Sequence, residues 1–186
     1  MTAIFTPPRI RISTRARAQL AAFAGSTDRA LVGFAKVEER DSGKELVVVE
    51  ACVFEQVATP ASLEIDCVTL CRTLHSEMRC FWRTSSAGIS PRFNEVDGQI
   101  TIDLLKVWPY FISLVVDIFG EMEVKYDARF NGGHATSLCT AEFVGGDLSS
   151  KEVAEIERAC QEQVRNKVKL IDILSRSFSK PIKLPV

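Results

Sequence analysis

The chain has two histidines and six cysteines, which are the residue types that most often bind transition metals in proteins. Cys67, Cys71 and His75 are spaced at i, i+4 and i+8, so they lie along one face of a predicted helix, and Cys80 follows shortly after. The step from i to i+8 spans about 12 Å of helix axis, which is too far for three side chains to meet at one tetrahedral ion. Cysteine also packs as a small apolar side chain, so we favour a buried helix face over a metal or redox site.

The second histidine, His134, follows Asn131-Gly132-Gly133 in a glycine-rich turn. This pattern predicts an exposed loop histidine, with a ligand or contact role left open as the alternative. The glycine pair is not a phosphate-binding loop, because no Gly-Lys-Ser/Thr follows it. No Ser-His-Asp or Cys-His arrangement can be recognised, because nothing in the sequence marks such residues as neighbours.

Composition places the chain among ordinary globular proteins. Its 186 residues are 46% hydrophobic and 25% charged, and the formal net charge is −1. There is no signal-peptide pattern, no C-x-x-C pair and no run of about 20 apolar residues, so we expect a cytoplasmic protein with reduced thiols and no membrane span. The first 29 residues carry five arginines against Asp28 alone. We interpret this basic segment as a solvated face, with an acidic partner or nucleic acid as the alternative.

Hydrophobic periodicity predicts the elements that must position these residues. Ser13 is a good N-cap for a helix to about Phe23, and Asn94 is a good N-cap for a helix at 95–107. The other predicted elements are strands at 9–12, 30–35 and 45–54, a charged turn at 38–44, a helix at 66–78, a short strand at 81–82, a hairpin of 110–118 and 121–126, and a last strand at 138–143. A final helix is predicted from 149 or 150 to about 178, because its apolar positions recur at three- and four-residue steps.

This order predicts an α/β (α+β) protein, with a mixed sheet flanked by helices. We expect one domain at 1–146. The C-terminal helix and an extended tail, at 147–186, are expected to pack on that domain or to extend it.

Several segments in this order resemble the JAB/MPN domain family (JAMM, Mov34-like), particularly its bacterial and phage-encoded branch. The segments are ALVGFAKV at 30–37, FEQ through SLEID at 54–66, FWRTS at 81–85, GISP at 88–91, NEVD at 94–97, and WPYFISLVVD at 108–117 with GE at 120–121. The resemblance as a whole covers about residues 9–130. The resemblance implies a cytidine-deaminase-like mixed sheet flanked by helices. It also implies a zinc hydrolase site that cleaves peptide or isopeptide bonds, often at the end of ubiquitin-like proteins.

In that family two histidines and an aspartate hold zinc, a glutamate takes a proton from the bound water, and a serine stabilises the oxyanion. The corresponding positions here are Ala30 for the glutamate, Arg83 and Ser85 for the histidines, Asn94 for the serine, and Asp97 for the aspartate. Only the aspartate is retained, and a register anchored on GISP at 88–91 supplies no histidine either. From the register alone we expect an ion pair between Arg83 and Asp97, with the guanidinium in place of the metal's charge.

These positions lead us to expect a catalytically inactive JAB/MPN-like protein, with no metal or other cofactor, that serves as a protein-binding scaffold or accessory subunit. The expected partner is another protein or a second copy of the chain. It would be contacted through the C-terminal helix at Ile171, Leu174 and Phe178. The alternatives are a zinc-dependent isopeptidase or peptidase with a rearranged site, and a nucleic-acid accessory protein that uses the N-terminal arginines Arg9, Arg11, Arg15 and Arg17.

Overall fold

The computed structural model describes residues 5–58, 63–65, 77–85 and 90–170. Within these ranges the helices are α1 (Thr14–Gly25), α2 (Glu95–Leu105) and α3 (Ser150–Lys167). The strands are β1 (Arg9–Ser13), β2 (Val32–Arg40), β3 (Glu45–Val53), β4 (Gln56–Ala58), β5 (Leu63–Ile65), β6 (Cys80–Thr84), β7 (Tyr110–Val116), β8 (Met122–Phe130), β9 (Gly133–Cys139), β10 (Glu142–Val144) and β11 (Val168–Leu170).

A large mixed sheet organises the fold, with strand order β10-β1-β3-β2-β6-β7-β8-β9. Strand β2 is antiparallel to both β3 and β6, whereas β6 and β7 are parallel to each other. A second, three-stranded sheet has the order β11-β4-β5. Because β2 and β6 are antiparallel, the first residues of β2 lie beside the last residues of β6.

Each face of the large sheet carries its own core, because successive side chains of a strand point to opposite faces. On one face Leu114 of β7 belongs to a cluster with Leu20 of α1 and Ile156 of α3. On the other face Phe111 of β7 belongs to a cluster with Leu104 of α2. Helices α1 and α3 therefore cover one face of the sheet, and α2 covers the other.

Trp82 connects the sheet to α1. Its indole is fully buried and stacks on Phe23 with ring centroids 5.1 Å apart, while its N–H donates to the carbonyl oxygen of Phe34 at 3.1 Å. A Cβ at Gly33 would overlap both this indole and the carbonyl oxygen of Cys52. The close approach of the ring to the backbone therefore explains why glycine stands at position 33.

The predicted mixture of helices and strands is confirmed, and the N-caps at Ser13 and Asn94 are both present. The strand predicted at 30–35 is wrong in its bounds. It begins at Val32 and continues to Arg40, because Glu38 to Arg40 pair with β3. The predicted charged turn at 38–44 is reduced to a single 3₁₀ turn at Asp41–Gly43.

Two further predictions need correction or fall mostly outside the described residues. The last strand predicted at 138–143 is two strands, β9 and β10, and the short strands β4 and β5 were not predicted. Most of the helix predicted at 66–78 lies outside the described residues, but Glu77 and Met78 are not helical.

The C-terminal helix is shorter than predicted. It ends at Lys167 rather than near 178, and Val168–Leu170 forms β11, which pairs in parallel with β4. Its apolar positions Ile156, Cys160 and Val164 face the core, so the described length of α3 packs on its own sheet and on α1. Val168 keeps the same four-residue spacing in an extended backbone, which is why the sequence pattern did not reveal the end of the helix. The expected partner residues Ile171, Leu174 and Phe178 lie outside the described residues.

Candidate functional site

The candidate site forms where the start of β2 meets the end of β6. Val32 of β2 pairs with Arg83 of β6. One residue further out, two hydrogen bonds join Leu31 and Thr84. The backbone N–H of Leu31 donates to the Thr84 hydroxyl at 2.9 Å, and the N–H of Thr84 donates to the carbonyl oxygen of Leu31 at 2.8 Å. This register places Ala30 beside Ser85. Both residues are half-buried.

The N-terminus of α2 reaches the same place. The side chain of Asn94 accepts from the N–H of Asp97 at 3.1 Å, and the carboxylate of Asp97 accepts from the N–H of Asn94 at 2.9 Å. The two residues therefore form a reciprocal capping box. The Asn-x-x-Asp spacing that resembled a family motif thus has a structural role in this chain.

Arg83 and Asp97 form the ion pair that the register predicted. The Arg83 Nε donates to Asp97 Oδ1 at 2.6 Å, and its side chain is 18% exposed against 3% for Asp97. A second guanidinium nitrogen donates to the carbonyl oxygen of Arg92 at 2.5 Å, and the third donates to the carbonyl oxygen of Thr84 at 3.4 Å. Arg83 thereby ties together the end of β6, the segment before α2 and the first turn of α2.

Zinc does not fit this arrangement. Guanidinium is a permanent cation with no lone pair to donate, so Arg83 cannot be a ligand and would repel a metal ion. Both carboxylate oxygens of Asp97 already accept hydrogen bonds, one from Arg83 and one from the N–H of Asn94. Ala30 has no side-chain group to accept a proton. In the described part of the chain, no group of three His, Cys, Asp or Glu residues could hold a metal ion.

A buried polar network behind the ion pair was not predicted from the sequence. The Thr101 hydroxyl donates to the carbonyl oxygen of Asp97 at 2.8 Å and shares a 2.9 Å hydrogen bond with the hydroxyl of Ser113 on β7. Both hydroxyls belong to residues that are at most 1% exposed. The network fixes the first turns of α2 on the sheet. Thr101 and Ser113 are 12 positions apart and no motif connects them.

Gln56 lies in one of the segments that carry the resemblance, but no role was predicted for it. Its amide accepts from the N–H of Val32 at 3.1 Å and donates to the carbonyl oxygens of Val32 at 2.8 Å and Phe54 at 3.1 Å. Gln56 is only 5% exposed, so it completes buried backbone hydrogen bonds at the start of β2. It positions this end of the site without presenting a reactive group.

Of the histidine and cysteine candidates, Cys80 and His134 lie in the described part of the chain, and neither lies at the site. Cys67, Cys71 and His75 lie outside the described residues. Cys80 is fully buried in the α1-side core, and burial raises the pKa of its thiol well above the usual range. His134 is exposed as predicted, but it lies in strand β9, opposite Arg129, rather than in a loop.

The N-terminal arginines are largely engaged within the chain. Arg11 forms ion pairs with Glu142 at 3.1 Å and Glu45 at 3.2 Å, and Arg9 lies 3.9 Å from Glu142. The guanidinium of Arg17 stacks over the ring of Phe143 at 4.1 Å. Glu45 and Glu142 therefore offset part of the positive charge of this segment, whereas the ring contact leaves the charge of Arg17 in place.

No helix in the described part of the chain is long and apolar enough to cross a membrane. No protein-family model matches this chain, and no curated protein matches it. Its function is therefore inferred from the residues at the site.

Proposed function

We propose that this protein is a catalytically inactive relative of the JAB/MPN metalloproteases and acts as a protein-binding scaffold or accessory subunit. The observation that carries the proposal is the 2.6 Å ion pair between Arg83 and Asp97, at positions that the resemblance assigns to the zinc ligands of that family. The guanidinium compensates the negative charge of the buried Asp97 carboxylate. The fold can therefore keep this aspartate without a metal ion. The alanine at position 30 removes the proton acceptor as well.

A rearranged zinc peptidase is the competing function, and no observation on the described residues favours it. The two are separated first by the zinc content of the purified full-length protein. We expect less than a tenth of an equivalent of zinc and no change in melting temperature on treatment with a chelator. Stoichiometric zinc whose removal unfolds the protein or abolishes a peptidase activity would overturn the proposal.

A gain-of-ligand variant tests the family relationship itself. Arg83 and Ser85 are two residues apart on an extended backbone. The strand-like pairing continues as far as Ser85, because its N–H donates to the carbonyl oxygen of Val116 at 2.8 Å. Their side chains therefore leave the strand on the same side as Asp97. The double variant Arg83→His, Ser85→His should bind Co²⁺ with the absorption bands of a tetrahedral site. Adding Asp97→Asn should weaken that binding at least about tenfold, because a ligating carboxylate becomes a neutral amide. A double variant that binds no better than the wild type would count against a JAB/MPN site.

A hydrogen-bonded turn with an exposed apolar side chain, at the same end of the sheet, supports the binding part of the proposal. Asp117 directly follows β7, and its side chain accepts from the N–H groups of Phe119 and Glu121, both at 2.9 Å. Gly120 completes the turn with φ of +78°. Phe119 is 77% exposed. An aromatic side chain held on an ordered turn loses little entropy on binding, which is typical of the residues that anchor protein interfaces.

The binding part is tested by co-purification from host extract followed by measurement of the complex mass. We expect one partner at fixed stoichiometry, with recovery reduced at least about fivefold by Phe119→Ala, as for an interface anchor. Val107→Ala is the matched control, because Val107 is 65% exposed but follows α2, before the start of β7, at the opposite end of the sheet. Equal recovery with the wild type and both variants would remove Phe119 from the interface. Failure to recover any partner would count against the scaffold function.

A further inference from the structure

The two edges of the large sheet differ in how they are protected from pairing with another strand. The β10 edge has only three residues, and Glu142 on it is ion-paired with Arg11. The β9 edge has seven residues, GHATSLC, with no proline and no Lys, Arg, Asp or Glu. Its register with β8 runs without a bulge from Gly133 to Cys139. Exposed edge strands usually carry lysine, proline or a bulge that prevents pairing, and β9 has none of these.

The hydrogen-bonding groups at the outer side of β9 can be assigned from the ladder. The N–H of Arg129 donates to Pro109, so the odd-numbered residues of β8 direct their backbone groups toward β7. The even-numbered residues of β8 therefore bond to β9, where their partners are Ala135, Ser137 and Cys139. The three alternate residues of β9 direct their N–H and C=O groups outward: His134, Thr136 and Leu138. In the part of the chain that is described, no strand pairs with that side.

The pattern of β9 is self-complementary about Thr136. Large side chains stand two residues on either side of it, at His134 and Leu138. Small ones stand at the other four positions: Gly133, Ala135, Ser137 and Cys139. In an antiparallel pair centred on Thr136, each His134 faces Leu138 of the partner subunit and small residues face small residues. All outward N–H and C=O groups of the three edge residues are then satisfied, and no like charges are opposed.

We infer that β9 pairs with β9 of a second copy, so that two large sheets join edge to edge in a two-fold symmetric dimer. The contact is isologous, as most dimer interfaces are. It also covers Leu138, which is 67% exposed in the single chain. The inference is independent of the proposed function, because none of its residues belongs to the Arg83–Asp97 site.

The mass of the full chain in solution tests the dimer, measured by light scattering and sedimentation across a wide concentration range. We expect a dimer for the wild type and a rise in its Kd of at least about tenfold for Leu138→Pro. Proline at this position removes only an outward N–H, because the bonds to β8 are made by the residues on either side of it. Leu138→Lys retains the N–H and adds a charge to the edge, so it gives the answer if the proline variant does not fold.

Leu170→Lys is the matched control, because Leu170 is 51% exposed and lies in β11 of the separate three-stranded sheet, so this variant should remain dimeric. Amide hydrogen exchange adds a second readout. The outward N–H groups at 134, 136 and 138 should be protected in the wild type and lose protection in Leu138→Lys. A wild type that is monomeric at all concentrations would overturn the inference. A dimer that persists in both Leu138 variants, or one in which the outward amides exchange freely, would also overturn it.

Discussion

Replacing Arg83 by alanine removes the group that links three segments of the candidate site. Its guanidinium bonds to the Asp97 carboxylate and to the carbonyl oxygens of Arg92 and Thr84. Arg92 is exposed, so water can replace the lost donor there. The side chain of Asp97 is 3% exposed, and its carboxylate would keep the hydrogen bond from the N–H of Asn94 but lose the guanidinium as its ion-pair partner. Most of the cost therefore falls on Asp97.

The loss in the free energy of unfolding depends on how much of the Asp97 charge is still compensated after Arg83 is removed. Removing one partner of a fully buried ion pair costs about 3–5 kcal/mol, whereas a hydrogen bond to a charged group contributes about 1.5–3 kcal/mol. Arg83 is 18% exposed, so water can enter the space that it leaves, and the N-terminus of α2 still favours a negative charge. We therefore expect a loss of about 2–3 kcal/mol in the free energy of unfolding. For a chain of this size that corresponds to a fall in Tm of about 5–10 °C.

Chemical and thermal denaturation measure the effect directly. Arg40→Ala is the matched control, because Arg40 is also a strand arginine in an ion pair, at 3.0 Å from Glu38, but its side chain is 51% exposed. Exposed pairs contribute little, so its loss should cost about 0.5 kcal/mol or less. A Tm for Arg83→Ala that matches that of Arg40→Ala would show that the ion pair does not support the fold.

A double-mutant cycle separates the ion pair from the loss of the arginine side chain as packing material. Arg83→Met keeps the apolar stem, and Asp97→Asn keeps an oxygen that accepts from the N–H of Asn94. The double variant should lose about 1–2 kcal/mol less than the sum of the single variants, because neither leaves an uncompensated charge once both are changed. Strict additivity would mean that the two side chains do not interact in solution.

Three further outcomes are expected. Gly33→Ala should destabilise the protein by about 1–3 kcal/mol in denaturant titrations, because the new Cβ would overlap the backbone and a buried ring. The control Gly98→Ala lies in open space within α2 and should be neutral or stabilising by up to about 1 kcal/mol. Equal effects of the two substitutions would contradict the close approach of Trp82. Hydrogen bonds from the N-cap Ser149 lower the pKa of Glu152. The ionised Glu152 therefore stabilises α3 above the ordinary pKa range of glutamate, and this stabilisation is lost as the pH falls through the lowered pKa. Glu152→Gln should flatten this dependence of Tm on pH. Burial raises the pKa of the Cys80 thiol well above its usual range, and it also raises the pKa of the half-buried Cys139 thiol. Mass spectrometry after alkylation at neutral pH should therefore show slow labelling of both cysteines, with Cys80 the slower. Faster labelling of Cys80 than of Cys139 would argue against the burial of Cys80.

Local pattern was enough to place most of the elements around the site. The capping side chains of Ser13 and Asn94 mark helix starts, because a polar side chain that accepts from the first turn is a purely local signal. The ends of the strands and of α3 were harder to predict from the sequence. Glu38 to Arg40 are charged and were predicted to turn, yet they extend β2, because their backbone pairs with β3 while their side chains stay exposed to solvent. Val168 continues a helical spacing, yet the backbone there pairs with β4.

The amino-acid sequence by itself determined which chemistry the positions at 30, 83, 85, 94 and 97 can perform. An alanine cannot take a proton and an arginine cannot bind zinc, whatever the fold around them. Only the tertiary structure decided that Arg83 and Asp97 meet at 2.6 Å, that Thr101 and Ser113 share a buried hydrogen bond behind them, and that β9 is left at an edge of the sheet. Residue types and periodicity report which face of a strand or helix is apolar. They do not encode which distant strand lies alongside it, and that pairing is what brings these groups together.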